Sequence, residues 1–433
     1  MRVCHASNTL PGYHDNWGGA EKECTNLASL LKENGLEICL LTTSITSMGD
    51  EKTGIHEIAT VSDLHYGRKK TVFKFLSFLT SFTCFDLVSF WHSYRVFKKC
   101  RPHILHLHNM DLLSFSPLVV AKLLHIPIVW TLVDYWSICP KRILLNKEGK
   151  VCRLFQGPHC VNCLDLKRVK DKIRIYLRKY VFDLFLRKVD AFICLSESSA
   201  RILQNYGIEE RKVYIIYQPL VEEELKQPLK NTQKEEASPK CREGKRVLLF
   251  IGWVRFHKGL HVVIKALPEV VRRIANVVLF VVENQPDEEY KRELKRFVKE
   301  KGLEQNVVML EGKKSPAEIK QFYALAEIVV IPEQWENMSP VTLMEASFYH
   351  KSIVASRIGG IPEFIKDGEN GFLAEPEDPN DWAKKLIFLL EHPEKARALG
   401  KDAHARIQKL SDRNRVFREI NTLYRKVLIN GRE

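Results

Sequence analysis

Residues 246–259, Arg246-Val-Leu-Leu-Phe-Ile-Gly-Trp-Val-Arg-Phe-His-Lys-Gly259, join a short apolar run to a cationic turn that contains one glycine at each end. An apolar run of this length, ended by glycine, predicts a buried strand. The periodic apolar pattern that follows over 259–274 predicts a helix. A strand, a glycine loop and a helix in this order are typical of a parallel α/β sheet, in which ligands bind at the carboxyl ends of the strands.

The same alternation of short apolar runs and helical patterns extends in both directions along the chain. In the first half, strands are predicted at 2–6, 37–43, 103–109, 126–132, 191–196 and 213–217, with helices at 19–34, 111–124 and 168–188. In the second half, further strands are predicted near 277–283, 307–312, 328–332, 352–356 and 371–374, with helices at 287–302, 315–326, 341–349, 379–391 and 393–430. The alternation predicts an α/β fold with two doubly wound, Rossmann-like parallel-sheet domains facing a cleft.

The domain organisation follows from length and from one break in the pattern. A chain of 433 residues exceeds what one hydrophobic core usually serves. The stretch 221–245 is charged, poor in apolar residues and contains two prolines, which indicates a linker. We therefore predict an acceptor-side domain at 1–220 and a donor domain at 246–410. A basic helix at 411–433 is expected to cross back to the first domain.

Charge and composition restrict the partner classes. The net charge of +14 suits nucleic acid, an anionic membrane surface or phosphorylated small molecules. No nucleic-acid recognition motif accompanies that charge, so we expect no nucleic-acid partner. The amino terminus lacks a leader pattern, and the eleven cysteines then indicate a reducing compartment. We expect a cytoplasmic protein.

Three loops that follow predicted strands in the second half carry candidate ligand-binding groups. Arg255 and Lys258, beside Gly252, could bind a diphosphate, although a solvated cationic turn would show the same residues. In the segment 332–340, Ser339 is expected to cap a helix that starts at Pro340, and that helix end would present free N–H groups to a phosphate. Glu345, within this otherwise apolar helix, either faces solvent or binds hydroxyls such as a ribose diol.

A third loop, Ser356-Arg-Ile-Gly-Gly-Ile-Pro-Glu363, completes the pattern, and Asp367-Gly-x-Asn-Gly371 follows it. Together, these residues resemble the retaining glycosyltransferases of the GT-B fold, family 4, also called glycosyl transferases group 1. The resemblance implies that Lys258 and Arg255 bind the donor diphosphate and that Glu345 holds the ribose hydroxyls. It also assigns donor binding to the main chain of four residues, Met338, Ser339, Pro340 and Val341.

The residue that meets the donor sugar is left open between two neighbours. The family's paired glutamates are usually separated by seven residues, whereas eight separate Glu336 from Glu345, and Asn337 occupies the usual position. A one-residue bulge would restore Glu336, or Asn337 would take over its role. The family also usually has arginine where this chain has Trp253, and Arg255 is expected to substitute.

The first half carries the acceptor-side resemblance. Gly18-Gly19-Ala-Glu21 is similar to the family's Gly-Gly-x-Glu loop, whose backbone approaches the donor, although a flexible helix entry would look the same. His108 is the candidate for acceptor contact. Relatives commonly carry histidine where this chain has Val133. That difference implies a shifted role for Asp134 or His108, a different acceptor or an inactive enzyme.

The mechanism implied by the resemblance transfers a sugar with retention of configuration from a UDP-, GDP- or ADP-sugar to a hydroxyl. The acceptor would be a glycan or a lipid-linked molecule, as in polysaccharide biosynthesis. Lys258, Arg255 and a helix end would stabilise the departing diphosphate, so no catalytic metal is expected. The alternative is a noncatalytic nucleotide-sugar-binding protein or a partner subunit of a glycosyltransferase.

Two further features lie outside this pattern. Cys139, Cys152, Cys160 and Cys163 fall within 25 residues and predict a structural zinc site, with four free thiols or a redox pair as alternatives. A cationic helix at 167–188 and the phenylalanine-rich stretch 71–91 predict peripheral association with an anionic membrane surface. In the alternative, the helix packs its apolar side inward and leaves its charges solvated.

Overall fold

The computed structural model describes residues 1–14, 17–44, 54–62, 70–220, 244–312 and 314–430. The chain divides into two compact units, of which the first comprises Met1–Pro219 and Arg413–Glu433 and the second Leu220–Asp412. Most of the linker predicted at 221–245 lies outside the described residues.

The first unit contains a parallel sheet of seven strands in the order β3-β2-β1-β4-β5-β6-β7. The strands are β1 Arg2–Ala6, β2 Glu37–Thr43, β3 Ile55–Ile58, β4 Ile104–Leu107, β5 Ile128–Leu132, β6 Ala191–Cys194 and β7 Val213–Ile215. The helices are α1 Gly19–Glu33, α2 Lys70–Thr83, α3 Leu87–Cys100, α4 Ser116–Leu123, α5 Cys160–Cys163, α6 Val169–Leu186, α7 Glu197–Tyr206 and, from the end of the chain, α15 Arg413–Asn430. All described strand pairs are parallel, as the alternation predicts.

The second unit contains a parallel sheet of six strands in the order β10-β9-β8-β11-β12-β13. The strands are β8 Arg246–Trp253, β9 Val277–Asn284, β10 Val307–Leu310, β11 Ile328–Ile331, β12 Ser352–Ser356 and β13 Phe372–Ala374. The helices are α8 Leu260–Arg273, α9 Glu288–Glu300, α10 Pro316–Leu325, α11 Val341–Phe348, α12 Ile361–Phe364, α13 Pro379–Glu391 and α14 Pro393–Leu410.

Each unit has its own apolar core between sheet and helices. In the first, Leu27 and Leu31 of α1 pack with Ile420 and Tyr424 of α15 against β1, β4, β5 and β6. In the second, α8 and α13 bury their apolar faces against the sheet, around the fully buried Trp382. Burial of apolar surface is the main favourable term in folding, so each sheet is stabilised by helices from its own unit.

The strand order brings the candidate loops together within each unit. In the first unit β1, β4 and β5 are adjacent, and in the second β8, β11 and β12 are adjacent. Because neighbouring strands are parallel, their carboxyl ends meet at one edge of the sheet. The loops that follow β8, β11 and β12 therefore form one cluster, and those that follow β1, β4 and β5 form another.

Two boundaries differ from the sequence prediction. The stretch 393–430 forms two helices, α14 and α15, interrupted at Ser411 and Asp412, instead of one. Helix α11 starts at Val341 with Pro340 in the capping position, one residue later than predicted, because Pro340 has an extended ψ of 120°. Ser339 is therefore not the cap.

Candidate functional site

The turn after β8 packs in close backbone contact with the loop after β11. Gly259 has a φ of +69°, and a Cβ on it would lie 1.6 Å from the carbonyl oxygen of Pro332. The Gln334 N–H donates to the carbonyl of His257 at 2.8 Å. Only glycine permits this approach. The turn from Gly252 to Gly259 and the loop 332–340 are thereby fixed against each other.

One buried carboxylate connects these two loops. Lys258 Nζ lies 2.7 Å from Glu333 Oε1, and Asn337 Nδ2 donates to the same oxygen at 3.0 Å. The other oxygen, Oε2, accepts the indole N–H of Trp335 at 2.5 Å. Lys258 Nζ also lies 5.5 Å from the centre of the Trp335 ring. Glu333 thus orients Lys258 and Asn337, two of the predicted donor-binding residues.

Glu333 has no role in the sequence prediction, although a signal for it exists. It lies two residues after β11, where the carboxyl-end rule predicts ligand-binding residues. The paired-glutamate resemblance drew attention to Glu336 instead. The side chain of Glu336 is buried, as is that of Asn337. The side chain of Asn337 bonds to Glu333, the carboxylate that also pairs with Lys258.

The cationic turn carries a second cation, Arg255, and a neutral histidine, His257. The Arg255 guanidinium lies 4.8 Å from the centre of the Trp253 ring, and its Nε donates to the carbonyl of Gln285 at 3.4 Å. Burial, together with the charges of Lys258 and Arg255, lowers the pKa of His257 to about 3. His257 is therefore neutral near pH 7, and Arg255 and Lys258 supply the positive charge of this turn.

The loop after β12 closes the cluster from the other side. Gly359 has a φ of +59°, and a Cβ on it would lie 2.4 Å from the carbonyl oxygen of Asn337. That carbonyl accepts the Gly360 N–H at 2.8 Å. Asn337 Oδ1 accepts the Ser339 N–H at 3.2 Å, which orders the backbone up to Pro340. Met338 and Ser339 are buried within this loop.

Glu345 lies on α11, half-buried, with one oxygen bound by a tyrosine. The hydroxyl of the fully buried Tyr323 donates to Glu345 Oε2 at 3.0 Å. Burial, with the Glu345 charge, raises the pKa of Tyr323 well above its ordinary value, so Tyr323 remains a donor. Tyr323 was not predicted. It fixes the orientation of the carboxylate assigned to the ribose.

In the first unit, the Gly-Gly-x-Glu segment opens α1 and is braced by its own glutamate. The Gly18 N–H donates to Glu21 Oε2 at 2.8 Å, and Asn109 Nδ2 donates to Glu21 Oε1. Asn109 Oδ1 in turn accepts from Ser7 Oγ at 2.6 Å. Glu21 therefore connects the backbone of Gly18 and Gly19 to the ends of β1 and β4. This contact makes Glu21 a positioning group. Asn16, which lies just before this segment in the sequence, is outside the described residues.

His108, predicted to contact the acceptor, is instead buried behind this segment. Its exposed fraction is 1%. Its Nδ1 lies 2.8 Å from Glu23 Oε2 and its Nε2 lies 3.0 Å from His5 Nδ1. Burial opposes the charged form, but Cys24 and Glu23 outweigh it and raise the pKa of His108 to about 10. With both ring nitrogens occupied inside the core, His108 does not present a group to an acceptor.

Asp134 follows β5 at the same edge of the sheet. Its Oδ1 accepts the Trp136 N–H at 2.8 Å. Burial and the negative charge of Glu21 raise its pKa to about 6, against the opposing effects of Trp136 and Arg178. Asp134 and Glu21 therefore interact electrostatically, and Asp134 exchanges its proton close to neutral pH.

Comparison with known proteins covers both units. A family profile described as Glycosyltransferase Family 4 matches residues 17–223, and one described as Glycosyl transferases group 1 matches residues 231–406. The chain belongs to glycosyltransferase family 4. This confirms the resemblance inferred from the loop motifs.

Solved structures extend the likeness of this family 4 chain over its length. HepE from Anabaena, in complex with UDP and glucose, has a TM-score of 0.69 and 15% identity, over 98% of this chain and 100% of that one. Sucrose-phosphate synthase from Thermosynechococcus elongatus has a TM-score of 0.70 and 17% identity, over 99% and 100%. At these identities the likeness shows the fold, which is GT-B.

Curated relatives match part of the chain. Spore coat protein SA of Bacillus subtilis is 26% identical over 42% of this chain and 49% of its own length. A D-inositol 3-phosphate glycosyltransferase of Corynebacterium glutamicum is 31% identical over 37% of this chain and 39% of its own length. The alignments thus span about half or less of these relatives.

The four cysteines predicted to bind zinc lie near one another, but their side chains do not form a complete set of zinc ligands. Burial raises the pKa of the Cys160 thiol, and Cys139, Cys163 and Cys152 raise it further, so the four lie close together. Among the described residues, however, the one group of three or more potential metal ligands that lie together contains none of these four cysteines. A zinc ion bound at about 2.3 Å brings its thiolates to about 3.8 Å. As placed, the side chains do not complete the predicted site.

The helix at 167–188 shows two apolar stripes. One faces the core and includes Ile175, Phe182 and Leu186. Arg178 belongs to this inner stripe, where it packs over the Phe182 ring, and burial lowers its pKa to about 10. The other stripe is exposed and consists of Val169, Ile173, Tyr176, Leu177, Tyr180 and Leu184. The alternative prediction, in which the helix packs its apolar side inward and leaves its charges solvated, therefore describes only one side of α6.

Helix α2 packs against α6 and exposes apolar residues of its own. These are Phe75, Phe78 and Leu79. Among the helices described here, none is long and apolar enough to cross a membrane.

Proposed function

We propose that the chain is a glycosyltransferase that moves a sugar from a nucleotide-sugar donor to the hydroxyl of a glycan or a lipid-linked acceptor, with retention of configuration. The observation that carries the proposal is the contact of Lys258 and Asn337 with one buried carboxylate, Glu333, at the carboxyl edge of the second sheet. Such an edge is where nucleotide ligands bind in open α/β sheets.

Lys258 is assigned to the donor diphosphate. Its ammonium group has three N–H donors, and one of them is directed to Glu333. The ion pair fixes the side chain before the donor arrives, so less conformational entropy is lost on binding. Arg255, on the same turn, adds a second cation, and Gly252 permits close approach of the backbone. Together these cations would neutralise the charge that develops on the leaving diphosphate, so a divalent metal is not needed for that role.

The nucleoside and sugar are assigned to the adjoining loops. Glu345, oriented by Tyr323, is placed to accept hydrogen bonds from a ribose diol. Asn337 is assigned to the donor sugar in preference to Glu336, because its amide already contacts Glu333 beside Lys258. The N–H groups of Met338 and Val341 add neutral donors for a phosphate or a sugar hydroxyl. The related structures solved with UDP and with UDP-glucose make UDP the first nucleotide to test.

The acceptor side is assigned to the edge of the first sheet. Gly18 and Gly19 offer backbone groups, Glu21 holds them in place, and Asp134 is the ionisable side chain beside them. A carboxyl group with a pKa near 6 is suited to receive a proton from a hydroxyl near neutral pH. Asp134 is therefore preferred over His108 as the group that contacts the acceptor.

Peripheral attachment to an anionic lipid surface, from the cytoplasmic side, accompanies this proposal. The exposed apolar stripe of α6 is flanked by exposed cations, with Lys170 in the first turn of the helix and Arg187 and Lys188 just beyond its end. This combination suits a helix lying in the interface between lipid headgroups and acyl chains. It would bring a lipid-linked acceptor to the protein.

A noncatalytic nucleotide-sugar binder is the second candidate function. The family resemblance implies a histidine where this chain has Val133, and His108, the other candidate for that role, is buried. Both candidates bind the donor, and only the first one turns it over. Measurements of binding and of turnover on the same preparation distinguish them.

Binding is tested by thermal unfolding with UDP, GDP and ADP. A ligand present at about 100 times its Kd and bound only by the folded state adds about 2.7 kcal/mol of apparent stability. We expect one of the three to raise the Tm of the wild type and to leave Lys258→Ala nearly unchanged. Lys384→Ala, an exposed lysine on α13, should respond as the wild type does. No shift with any of the three would contradict the proposal.

A further inference from the structure

A buried cluster of potential metal ligands lies behind the glycine segment of the first unit. It consists of His5 on β1, Cys24 on α1 and His108, which follows β4. One ligand atom from each lies within 4.8 Å of the others, and all three side chains are buried. Among the described residues, this is the one group of three or more such ligands. The proposed transfer reaction does not use it.

The hydrogen bonds around His108 orient a nitrogen lone pair toward His5. Glu23 Oε2, a buried carboxylate oxygen, lies 2.8 Å from His108 Nδ1 and accepts a hydrogen bond from its N–H group. Once a metal ion displaces the proton on Nε2, that nitrogen, which lies 3.0 Å from His5 Nδ1, offers its lone pair to the ion. Two lone pairs at this separation repel each other unless a proton or a cation lies between them. A cation there would replace the bridging proton.

The separation of the two nitrogens is close to that of a metal site. Zinc binds histidine nitrogen at about 2.0–2.1 Å in tetrahedral geometry, which places two such nitrogens about 3.3 Å apart. A shift of a few tenths of an ångström in either ring brings the two nitrogens to that separation. The carboxylate that accepts from the far nitrogen of His108 matches the carboxylate–histidine–zinc arrangement, in which the second partner fixes the ring and raises its basicity.

Charge also balances with a divalent ion in place. The thiolate of Cys24 and the carboxylate of Glu23 supply two negative charges, which a divalent cation cancels. Because an uncompensated charge is costly in a protein core, this balance favours a divalent ion over a monovalent one. One thiolate and two imidazoles suit zinc, which accepts both sulfur and nitrogen ligands.

We propose that His5, Cys24 and His108 bind one zinc ion, with Glu23 orienting His108. Three protein ligands leave the fourth tetrahedral position for a small ligand such as water. The ion would join β1, α1 and the segment that follows β4, so its role is to hold the first helix in position. It is distinct from the four-cysteine site predicted from the sequence.

Metal content of the full chain tests the proposal. We expect about one zinc per chain after purification without chelators, or after adding one equivalent of Zn²⁺ to chelator-treated protein. Cys24→Ser and His5→Gln should lose that zinc, whereas Cys163→Ser should retain it. Absence of bound zinc from the wild type in both preparations would overturn the proposal. So would loss of zinc in Cys163→Ser with retention in Cys24→Ser, which would favour the four-cysteine site.

A measurement on the unaltered chain remains decisive if the buried variants fail to fold. Co²⁺ bound in place of zinc gives a thiolate-to-cobalt charge-transfer band whose intensity increases with the number of sulfur ligands. We expect the intensity of one Co–S bond per cobalt. A band with the intensity of three or four Co–S bonds, or none at all, would overturn the proposal. Neither measurement depends on sugar transfer, so the two proposals fail independently.

Discussion

At the scale of single residues, the buried carboxylate of Glu333 connects the turn after β8 to the loop after β11. Its two oxygens contact Lys258, Asn337 and Trp335, which come from both sides of the cluster. The motif spacing could predict that Lys258 and a residue near 336 would be used. It could not predict their common partner, because a buried ion pair depends on how two loops meet in space.

Replacement of that carboxylate gives the first prediction. Glu333→Gln removes the charge that orients Lys258 but keeps the size of the side chain. A hydrogen bond to a charged group is worth about 1.5–3 kcal/mol, so we expect kcat/KM for donor turnover to fall by about 10- to 150-fold. Glu391→Gln, which removes the partner of Arg273 on the surface, is the control and should be near wild type. Equal activity of the two variants would show that the Glu333 contact is unimportant.

The second prediction concerns Gly359, where steric contact and backbone conformation can be separated. Alanine at 359 would meet the Asn337 carbonyl at 2.4 Å, whereas Gly302, with a similar φ of +64°, has open space around it. Both variants share the cost of positive φ. Only Gly359→Ala adds overpacking, of about 1–3 kcal/mol. We expect urea unfolding to show this additional loss and nucleotide binding to weaken in Gly359→Ala alone. Equal destabilisation of both variants would contradict the described contact.

The third prediction concerns pH and Asp134. Its pKa of about 6 in the folded chain exceeds the ordinary aspartate value, because burial and Glu21 disfavour the ionised form. The associated stability is present at low pH and is lost as pH rises through 6. We expect the wild type to lose stability relative to Asp134→Asn between pH 4 and pH 7, by about 3 kcal/mol at most. A difference in the free energy of unfolding between the two proteins that stays constant over this pH range would contradict the raised pKa of Asp134.

At the scale of elements, the sequence pattern predicts most strands of both sheets but not every element. It does not predict β3, a four-residue strand whose sequence Ile-His-Glu-Ile has polar centre positions. Its pairing with β2 comes from tertiary contacts instead of from a local apolar run. The helical pattern over 393–430 does not show the break between α14 and α15, because no glycine or proline marks it, although the predicted domain boundary at 410 lies beside it. Ser411 and Asp412 were the available signal.

The outer face of α6 carries the fourth prediction. Periodicity alone could not show that this helix has an exposed apolar stripe opposite its buried one, because both stripes follow helical spacing. We expect the wild type to co-sediment with anionic vesicles at low salt. The triple variant Ile173→Ser, Leu177→Ser, Tyr180→Ser should bind at least about 10-fold more weakly, because it loses apolar contact area.

Two exposed apolar residues on other helices provide the control for this experiment. The variant Leu123→Ser, Ile429→Ser removes apolar surface from α4 and α15 and should bind vesicles as the wild type does. Absence of wild-type binding at low salt would remove the membrane proposal. Equal weakening by both variants would show that the α6 stripe is not the contact surface.

At the scale of the whole molecule, two parallel-sheet units follow from the alternation of strands and helices, and the family profiles confirm the family that the loop motifs resemble. The return of the last helix, α15, to the first unit is visible in its contacts with His106 and with α1. The acceptor side was less predictable. His108 and Asp134 both follow strands at the same edge of the sheet. Only the structure shows that His108 is buried in a polar cluster.

Release of nucleoside diphosphate from nucleotide sugars by the purified chain tests the central claim most directly. We predict release from at least one of UDP-, GDP- or ADP-glucose, with kcat/KM at least about 100-fold lower in Lys258→Ala and unchanged in Lys384→Ala. A fall in rate of this size is typical when one hydrogen-bond donor to the transition state is removed. Binding of a nucleotide without turnover of any donor, offered with glycan or lipid-linked acceptors, or wild-type turnover in Lys258→Ala, would contradict the account.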